Sequence, residues 1–300
     1  MRFSLLPRKV KEVLAGKVML VLTILSALLV LLMIVGLYLK AKPVLDSQPL
    51  SELLFSTKWR PFRGQFGFLP FIMGTVWVTG VAILIAVPLC LLTAIYLSEY
   101  AHSRLREWVK PLIDILAGIP SVVFGVWGML VVVPFIKDVV APAFHVFSTG
   151  YSILAGGIVL AIMIFPVIIH VSLEIFRAVP QEVREASLAV GATRWQTIKH
   201  VVMRKALPGV AAAVVLGIAR AFGETMAVLM VVGNVSKIPR SVLDPAYPLP
   251  ALIANNYGEM LSIPLYDSAL MLAALILLLV ILVFNILSRV VLLRVERSIR

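Results

Sequence analysis

Two charged residues in an otherwise apolar stretch, LGIARAFGETMA, have the clearest potential for chemistry: Arg220 and Glu224. Residues four apart share one face of a helix, so the two side chains are expected to form an ion pair. A charged side chain costs about 2.5–3.5 kcal/mol at the centre of a membrane helix, which makes such residues functional candidates. A guanidinium fork suits the oxygens of phosphate or sulfate. The pair predicts either a structural lock between helices or a site on an oxyanion translocation path, and leaves the oxyanion open.

Small residues in the same stretch predict close helix packing beside this pair. Ala213, Gly217 and Ala221 recur every four residues, a spacing that lets helix backbones approach closely. At about 100° per residue, these three residues and both charges fall within a sector of roughly 100°. We therefore expect Arg220 and Glu224 to face packed protein or a cavity rather than lipid.

Six apolar stretches are long enough to hold such residues inside a membrane, since a helix needs roughly 20 residues to cross it. Of the 300 residues, 61% are hydrophobic and 14% are charged, which excludes a soluble domain because its interior would be too small. The stretches lack period-two alternation, so the predicted fold class is an all-α polytopic membrane protein with six transmembrane helices. They are Val18–Leu39, Phe68–Leu97, Ile115–Ile136, Tyr151–Leu173, Pro208–Gly233 and Ser268–Ser288.

Proline and glycine predict irregularities in two of these helices. The second stretch contains Pro70 and Pro88 and is about ten residues too long, so we expect an interfacial start, a tilt or a kink. The third stretch contains the helix-breaking residues Gly118, Pro120 and Gly125. Broken membrane helices are tolerated inside protein or beside a water-filled cavity. Ser121 therefore either lines the translocation path or follows a plain proline kink.

The distribution of basic residues predicts the orientation. Eighteen of the 27 Lys and Arg residues fall on one side of the six spans and eight on the other. Since basic residues accumulate in cytoplasmic loops, both termini are expected in the cytoplasm, and the net charge of +12 does not require nucleic acid as a partner. The basic start followed by a 22-residue apolar core is interpreted as an uncleaved signal anchor.

Cysteine and histidine exclude two kinds of site. The single Cys90 rules out an intramolecular disulfide and is expected to be a small buried residue. The four histidines are scattered singly, so no metal site is expected. His170 and Glu174 are four residues apart and are interpreted as a solvated pair rather than a proton relay.

A polar, basic segment, EASLAVGATRWQTIKHVVMRKALPG, separates the fourth and fifth stretches. Pro180 predicts a helix over 181–190, and Gly191 predicts a left-handed turn. TRWQ is a capping box from Thr193 that opens a second helix, which is expected to end where Pro208 begins the next span. Trp195 among basic residues is typical of a partner-binding patch. A surface hairpin against the protein's own helices is the alternative.

This segment resembles the EAA motif of ABC-importer permeases, in Glu185-Ala186-Ser187, Gly191 and Leu207-Pro208, with Ser at the second Ala position. In that family the element fits a cleft of a cytoplasmic ATPase. The resemblance implies ATPase coupling by Glu185, Ala186, Gly191, Trp195, Leu207 and Pro208. The sequence contains no G-x-x-x-x-G-K-[ST]. ATP with Mg²⁺ is therefore expected on a separate ATPase subunit, and this chain is expected to be no enzyme and to bind no cofactor.

RAFGET and AGIPSVVFG resemble phosphate ABC importer permeases of the PstC type, over about residue 66 to the end, and the sister PstA type shares these features in part. The resemblance implies a type I ABC-importer permease fold and roles for Arg220 and Glu224 in phosphate transport. It also implies a bacterial or archaeal inner-membrane complex with a second permease of the PstA type, two ATPase subunits of the PstB type and a phosphate-binding protein of the PstS type.

The expected organisation has three parts: residues 1–67 with the cytoplasmic tail, first span and an extracytoplasmic segment; 68–292 as the permease domain with a cytoplasmic coupling loop at 176–207; and 293–300 as a cytoplasmic tail. In segment 40–67, Trp59 and Phe62 are either interfacial anchors or part of a landing surface for the binding protein. Two alternatives remain at this point: a permease for sulfate or molybdate, and an ion-coupled secondary carrier that uses Arg220, Glu224 and His170.

Overall fold

The computed structural model describes residues 8–259 and 263–299, with side chains at 12–259, 263–286 and 289–290. Arg2 of the predicted cytoplasmic tail therefore lies outside the described residues, as do the side chains of segment 293–300. Six helical stretches are long and apolar enough to span a membrane, which confirms the predicted number and the all-α class. They are Glu12–Ser47, Leu69–Tyr100, Ser121–Ala143, Ile153–Ala178, Arg194–Phe222 and Tyr266–Ile286.

Fourteen α-helices and one small hairpin make up the described part of the chain. The helices are α1 (Arg8–Ser47), α2 (Leu50–Phe55), α3 (Leu69–Ile95), α4 (Ser103–Gly118), α5 (Ser121–Trp127), α6 (Val133–Phe135), α7 (Ala141–Ala143), α8 (Ile153–Ala178), α9 (Gln181–Ala189), α10 (Arg194–Thr197), α11 (Met203–Phe222), α12 (Met226–Val231), α13 (Leu249–Asn256) and α14 (Tyr266–Ile299). Four π-helical segments adjoin them, at Tyr96–Tyr100, Gly128–Val132, Ile136–Val140 and Ile198–Val202. The strands β1 (Trp59–Arg60) and β2 (Gln65–Phe66) pair antiparallel.

The core of the molecule is the packing of α3, α8 and α11. Helix α8 contacts both of the others along its length. Its buried face includes Leu160, Ile164 and Ile168, which cluster with Ala82 of α3 and Ala221 of α11. Small residues on α3 and α11 let the three helix backbones approach closely.

The first span packs against the sixth span at one end, in a hydrophobic cluster separate from this core. Helix α1 contacts α14, where Ala41 and Val44 are fully buried, whereas the side chains of its apolar middle are exposed. Such a large exposed apolar surface is expected where the solvent is lipid.

An aromatic cluster closes the same end of the molecule. Trp59 makes edge-on contacts with Phe66, Phe68, Phe71 and Tyr266, with ring centroids 4.8–6.0 Å apart. Trp59 therefore belongs to a packed core and is not a free interfacial anchor. Phe62, in the 3₁₀ turn between the two strands, is 87% exposed. This exposure fits either an interfacial anchor or part of a landing surface for the binding protein.

The third span begins and ends later than expected. Ile115–Gly118, predicted as its start, complete the amphipathic helix α4, and the span runs from Ser121 to Ala143. Ile119 is extended, with ψ 128°, because the ring of Pro120 disfavours a helical residue before it. The predicted break is thus confirmed at Gly118–Pro120, but it separates two helices rather than interrupting the span. The expected break at Gly125 is wrong, because α5 continues through it.

The fifth span also differs from the prediction of one helix over Pro208–Gly233. The chain is helical from Arg194 to Phe222, with Pro208 inside the helix, and the helix ends at Gly223. Glu224 and Thr225 are non-helical before α12 begins at Met226. The second helix of the polar loop is therefore the start of the fifth span, and the loop is not a separate helix–turn–helix unit.

The second span is a continuous helix from Leu69, with Pro70 in its first turn and Pro88 in its interior, and it ends in the π-helical segment Tyr96–Tyr100. An irregular start is absent because Phe68, immediately before the helix, is fully buried in the aromatic cluster. The packed aromatic side chains support the first turn in place of an interfacial segment.

The close packing of α11 on α8 gives a direct prediction. A Cβ added at Gly217 would lie 2.7 Å from the side chain of Ile168, whereas one at Gly80 of α3 would meet nothing within 4 Å. We expect Gly217→Val to lower the stability of the purified protein by roughly 1–3 kcal/mol, because the helices are forced apart. Gly80→Val is the matched control. Thermal unfolding in detergent is the measurement, and equal midpoints for the two variants would contradict the packing described above.

Candidate functional site

Arg220 lies near the end of α11, well inside the apolar part of the fifth span. It is 15 residues beyond Lys205, the last basic residue of the polar loop, which places it about 22 Å farther along the helix. Its side chain is exposed on the surface of this chain. Among the described residues, it has neither a salt-bridge partner nor a hydrogen-bond partner.

Glu224 lies in the interruption that follows this helix. Its Oε1 accepts a hydrogen bond from the backbone N–H of Ala227 at 3.3 Å, in the first turn of α12. A negative charge is favoured at a helix N-terminus, where backbone N–H groups are unpaired. The half-buried carboxylate borders a narrow crevice with Thr75 and Thr79 of α3.

The predicted ion pair between Arg220 and Glu224 is wrong for this structure. The salt bridges found within the described ranges do not include it. The helix ends at Phe222, so four-residue spacing no longer places the two side chains on one face. The small-residue ridge is confirmed, since Ala213, Gly217 and Ala221 are all buried. Arg220 lies off that ridge and faces away from the core of its own chain.

Ser121 is the first residue of α5 and is half-buried. It is therefore the first residue of the third span and lies at its mouth. The glycine one turn later serves close packing instead of a break. A Cβ at Gly125 would lie 3.1 Å from the Cα of Ala227 and 2.6 Å from the Sδ of Met230, so α5 and α12 are in contact there.

Between the fourth and fifth spans, the polar loop has the predicted order of helix, Gly turn and helix, here called the hairpin (residues 181–197). Gly191 has φ +86°, which confirms the left-handed turn after α9. Thr193 and Gln196 form both hydrogen bonds of the capping box. Glu185 and Ala186 are exposed on α9. Trp195 is 53% exposed at the start of α10, so the tip of the hairpin presents an acidic, an apolar and an aromatic group to a partner.

The motif position that departs from Ala has a structural role. The hydroxyl of Ser187 on α9 lies 2.9 Å from the hydroxyl of Thr197 on α10, which is 4% exposed. This hydrogen bond joins the two helices of the hairpin across the Gly191 turn.

Leu207 and Pro208 lie away from the hairpin tip. They are inside α11, about 20 Å along the helix from Arg194. A Cβ at the next residue, Gly209, would lie 2.7 Å from the side chain of Ile175, so this segment crosses α8 closely. The structure thus places Leu207-Pro208 at a helix crossing and not beside Glu185 and Ala186.

Two residues at the base of the hairpin have contacts that the sequence did not reveal. Arg184 of α9 donates to both carboxylate oxygens of Glu99, at 2.9 and 3.2 Å. Arg194 donates to the backbone carbonyl of Glu99 and lies over the Tyr100 ring, 4.9 Å from its centroid. Arg184 could have been noticed because it directly precedes the Glu-Ala-Ser motif. Glu99 is an isolated acid at the end of the second span, and no sequence pattern pointed to it.

These groups line a cavity of about 530 Å³ between α9, α10 and the end of the second span. It contains Gln181 and Leu188 of α9, together with the guanidinium groups of Arg177, Arg184 and Arg194. The described residues contain no cluster of His, Cys, Asp and Glu suited to a metal ion.

His170 has a different partner from the one expected. Its Nε2 lies 2.8 Å from Asp114 Oδ1 of α4, off the direction needed for a linear hydrogen bond. Glu174 instead contacts Lys110 at 3.5 Å and Arg177 at 3.4 Å. The predicted pair of His170 with Glu174 is wrong, because α4 lies against this face of α8 and supplies closer partners. Cys90 is fully buried, as predicted.

Comparison with known proteins identifies relatives over most of the chain. The family model described as "Binding-protein-dependent transport system inner membrane component" matches residues 86–300. A Bacillus subtilis protein named "Probable ABC transporter permease protein YqgH" is 45% identical over 210 residues, 69% of this chain and 66% of that protein. The Xylella fastidiosa "Phosphate transport system permease protein PstC" is 36% identical over 261 residues, 82% of this chain and 80% of that protein.

The fold is shared with a solved importer. The permease in the crystal structure of a bacterial alginate ABC transporter with its alginate pentasaccharide-bound periplasmic protein superimposes with a TM-score of 0.64. The match covers 94% of each chain at 16% identity, so the likeness concerns the fold alone. It confirms the predicted type I ABC-importer permease fold.

The hydrogen bond within the hairpin is testable by a double-mutant cycle. Ser187→Ala leaves the buried Thr197 hydroxyl without this partner, and we expect a loss of about 1 kcal/mol in stability. Thr197→Val should cost a similar amount alone and little more when combined with Ser187→Ala. Thermal unfolding of the four proteins measures the coupling energy. Strictly additive effects would show that the two hydroxyls do not interact.

Proposed function

The chain belongs to the family of binding-protein-dependent transport system inner membrane components, and we propose that it is the membrane-spanning subunit of an ATP-driven importer of inorganic phosphate. Relatives named as phosphate transport permeases align with 82% to 96% of this chain at 30–36% identity. Phosphate is therefore the substrate that the similarity favours. In this proposal the chain is a transport subunit, and ATP is hydrolysed by a separate protein.

The exposure of Arg220 is the observation that carries the assignment. A guanidinium group deep in an apolar span is costly against lipid, so it faces either a neighbouring subunit or a water-filled path. Because Glu224 does not neutralise it, Arg220 presents a full positive charge to whatever occupies that space. Phosphate is an anion whose oxygens fit the guanidinium fork, and a path between two permease subunits satisfies both requirements.

The hairpin is the second part of the proposal. Glu185, Ala186, Gly191 and Trp195 form an exposed tip that fits a docking role on a cytoplasmic ATPase. Movement of this tip would pass into the fifth span without a joint, because the helix that starts at Arg194 continues to Phe222 and therefore to Arg220. Leu207-Pro208 belongs to that continuous helix and transmits the movement without touching the ATPase.

The complete importer would contain a second permease of the PstA type, two ATPase subunits of the PstB type that bind ATP with Mg²⁺, and a phosphate-binding protein of the PstS type. Both termini of this chain would lie in the cytoplasm, on the side with more basic residues. On the opposite side, Lys237 and Arg240 line an open depression of about 880 Å³ with Thr57. Together with the exposed Phe62, it offers a surface where the binding protein would dock.

Two other functions remain distinct candidates. Transport of sulfate or molybdate would use the same guanidinium chemistry at Arg220. An ion-coupled secondary carrier would need Arg220, Glu224 and His170 to act together. The described contacts favour this carrier less, since Arg220 and Glu224 are not paired with each other and His170 contacts Asp114.

Uptake of radiolabelled phosphate tests the assignment in cells that lack the chain and in cells with it restored. We expect phosphate uptake to be rescued, and Arg220→Ala to reduce it by roughly 10- to 100-fold, because a contact to a charged group contributes about 1.5–3 kcal/mol. Leu216→Ala, one turn earlier on the exposed face of the same helix, is the uncharged control and should transport normally.

Three outcomes of this experiment would contradict the proposal. Rescue of sulfate uptake instead of phosphate uptake would identify a different oxyanion. Uptake abolished by an uncoupler while ATP remains would indicate a secondary carrier. Normal phosphate uptake by Arg220→Ala would leave this residue with a structural role alone.

The turn at Gly191 gives an independent test of coupling. Gly191→Val should insert normally but transport poorly, because a β-branched residue is strained at φ +86° and displaces the hairpin tip. Gly258→Val is a matched control, since Gly258 has φ +87° and equal free space but lies outside the hairpin. Quantitative immunoblotting and phosphate uptake are the measurements. Equal uptake by the two variants would refute the docking role.

A further inference from the structure

Helix α9, which carries the docking tip, has little packing of its own. None of its residues is buried. Apart from the chain connections at its two ends, it is held by the hydrogen bond between Ser187 and Thr197, by Leu188 at the edge of the cavity, and by Arg184. Arg184 and Ser187 are the residues of α9 whose side chains form hydrogen bonds to other elements within the described ranges.

Arg184 joins α9 to two spans at once. Its guanidinium donates to both oxygens of Glu99 and, at 2.7 Å, to the carbonyl of Phe176. It also donates to the carbonyl of Val179, so it supplies hydrogen bonds to carbonyl groups at the end of α8. The side chains of Arg184 and Glu99 are only 13% and 9% exposed, so this pair is shielded from water. Shielded bidentate pairs have a defined geometry, unlike pairs on an open surface.

Glu99 is itself firmly held at the end of the second span. It lies in the π-helical segment Tyr96–Tyr100, and such segments are frequent at functional sites. Arg106 of α4 donates to the neighbouring carbonyls of Leu97 and Ser98, at 2.9 and 3.2 Å. Arg194, where the fifth-span helix begins, donates to the carbonyl of Glu99. The ends of the second, fourth and fifth spans therefore meet around this one residue, through its carboxylate and its backbone carbonyl.

We propose that the Glu99–Arg184 ion pair is the joint that transmits movement of α9 to the second span, so that both residues are positioning residues for transport. The inference rests on the proposed function, because it requires a docking partner that moves α9. It adds a route that the fifth span alone does not supply.

This route leads to the crevice beside Glu224. Helix α3 is continuous from Leu69 to Ile95 and adjoins the segment that contains Glu99. Thr75 and Thr79, on the opposite half of α3, line the crevice with Glu224. A displacement of Glu99 would therefore move the α3 wall of this crevice relative to Glu224. The pair thus links α9 to the crevice, while the continuous helix from Arg194 links the hairpin to Arg220.

The test separates a transmitting joint from a purely structural contact. The complete complex, with its ATPase and binding protein, is reconstituted in proteoliposomes, and phosphate uptake and ATP hydrolysis are measured in the same vesicles. Glu99→Gln keeps the shape of the side chain and removes the charge that holds Arg184. We expect the variant complex to assemble and to hydrolyse ATP. The amount of phosphate moved per ATP should fall by about fivefold or more relative to the wild type.

Two further variants make the result decisive. Glu107→Gln removes an exposed acid of α4 and should keep the wild-type ratio of phosphate to ATP. Glu99→Asp keeps the charge but withdraws it by one methylene group. It should give an intermediate ratio, and it replaces Glu99→Gln if that variant fails to assemble.

The proposal would be overturned if the assembled Glu99→Gln complex kept the wild-type ratio of phosphate to ATP. If only Glu99→Asp assembles, a wild-type ratio in that variant has the same meaning. The ion pair would then be a contact that only stabilises the fold. Failure of the proposed substrate would be seen separately, because the wild-type complex itself would then move no phosphate. In that case the ratio measured with sulfate tests the joint in the same way.

Discussion

A charge removed from bulk water, by lipid or by protein, has to meet an opposite charge, a helix terminus or a bound water molecule, and this constraint governs where several polar groups of the molecule lie. Glu224 meets the backbone N–H of Ala227 at the start of a short helix. Arg184 meets a carboxylate and the last carbonyl groups of α8. The described part of the chain supplies no such group for Arg220. The proposed position of Arg220, beside a water-filled path or a neighbouring subunit, would meet this requirement.

The same constraint explains the interruptions of the helices. A span that ends at Phe222 and resumes at Met226 exposes backbone groups at the level of Glu224, which membranes tolerate only where protein or water satisfies them. The crevice lined by Thr75 and Thr79 of α3 provides polar neighbours there. The interruption thus separates Arg220, on the long helix, from Glu224, at the cap of the next one. It gives the two residues independent supports, and one can move relative to the other.

At the other end of the spans, the spans pack through buried apolar residues such as Ile95, Phe176 and Ile198, whereas α9 is held by polar contacts. Helix α9 buries no residue, yet Arg184 fixes its position against the second and fourth spans. A helix held in this way keeps its surface free for a partner and still follows that partner's movement. A buried apolar face would have fixed α9 more firmly and removed the surface that docking requires.

Much of the architecture was readable in the sequence. The number of spans follows from composition and run length, and the Gly191 turn and the Thr193–Gln196 capping box follow from residues within one or two turns of each other. These features depend on local geometry and on the solvent.

Packing between helices decides the features that were missed. They are the end of the long helix at Phe222, the separation of Arg220 from Glu224, and the contact of His170 with Asp114. Glu99 and Arg184 are 85 positions apart, and only the tertiary structure brings them together, since no local pattern records which distant carboxylate a guanidinium will reach.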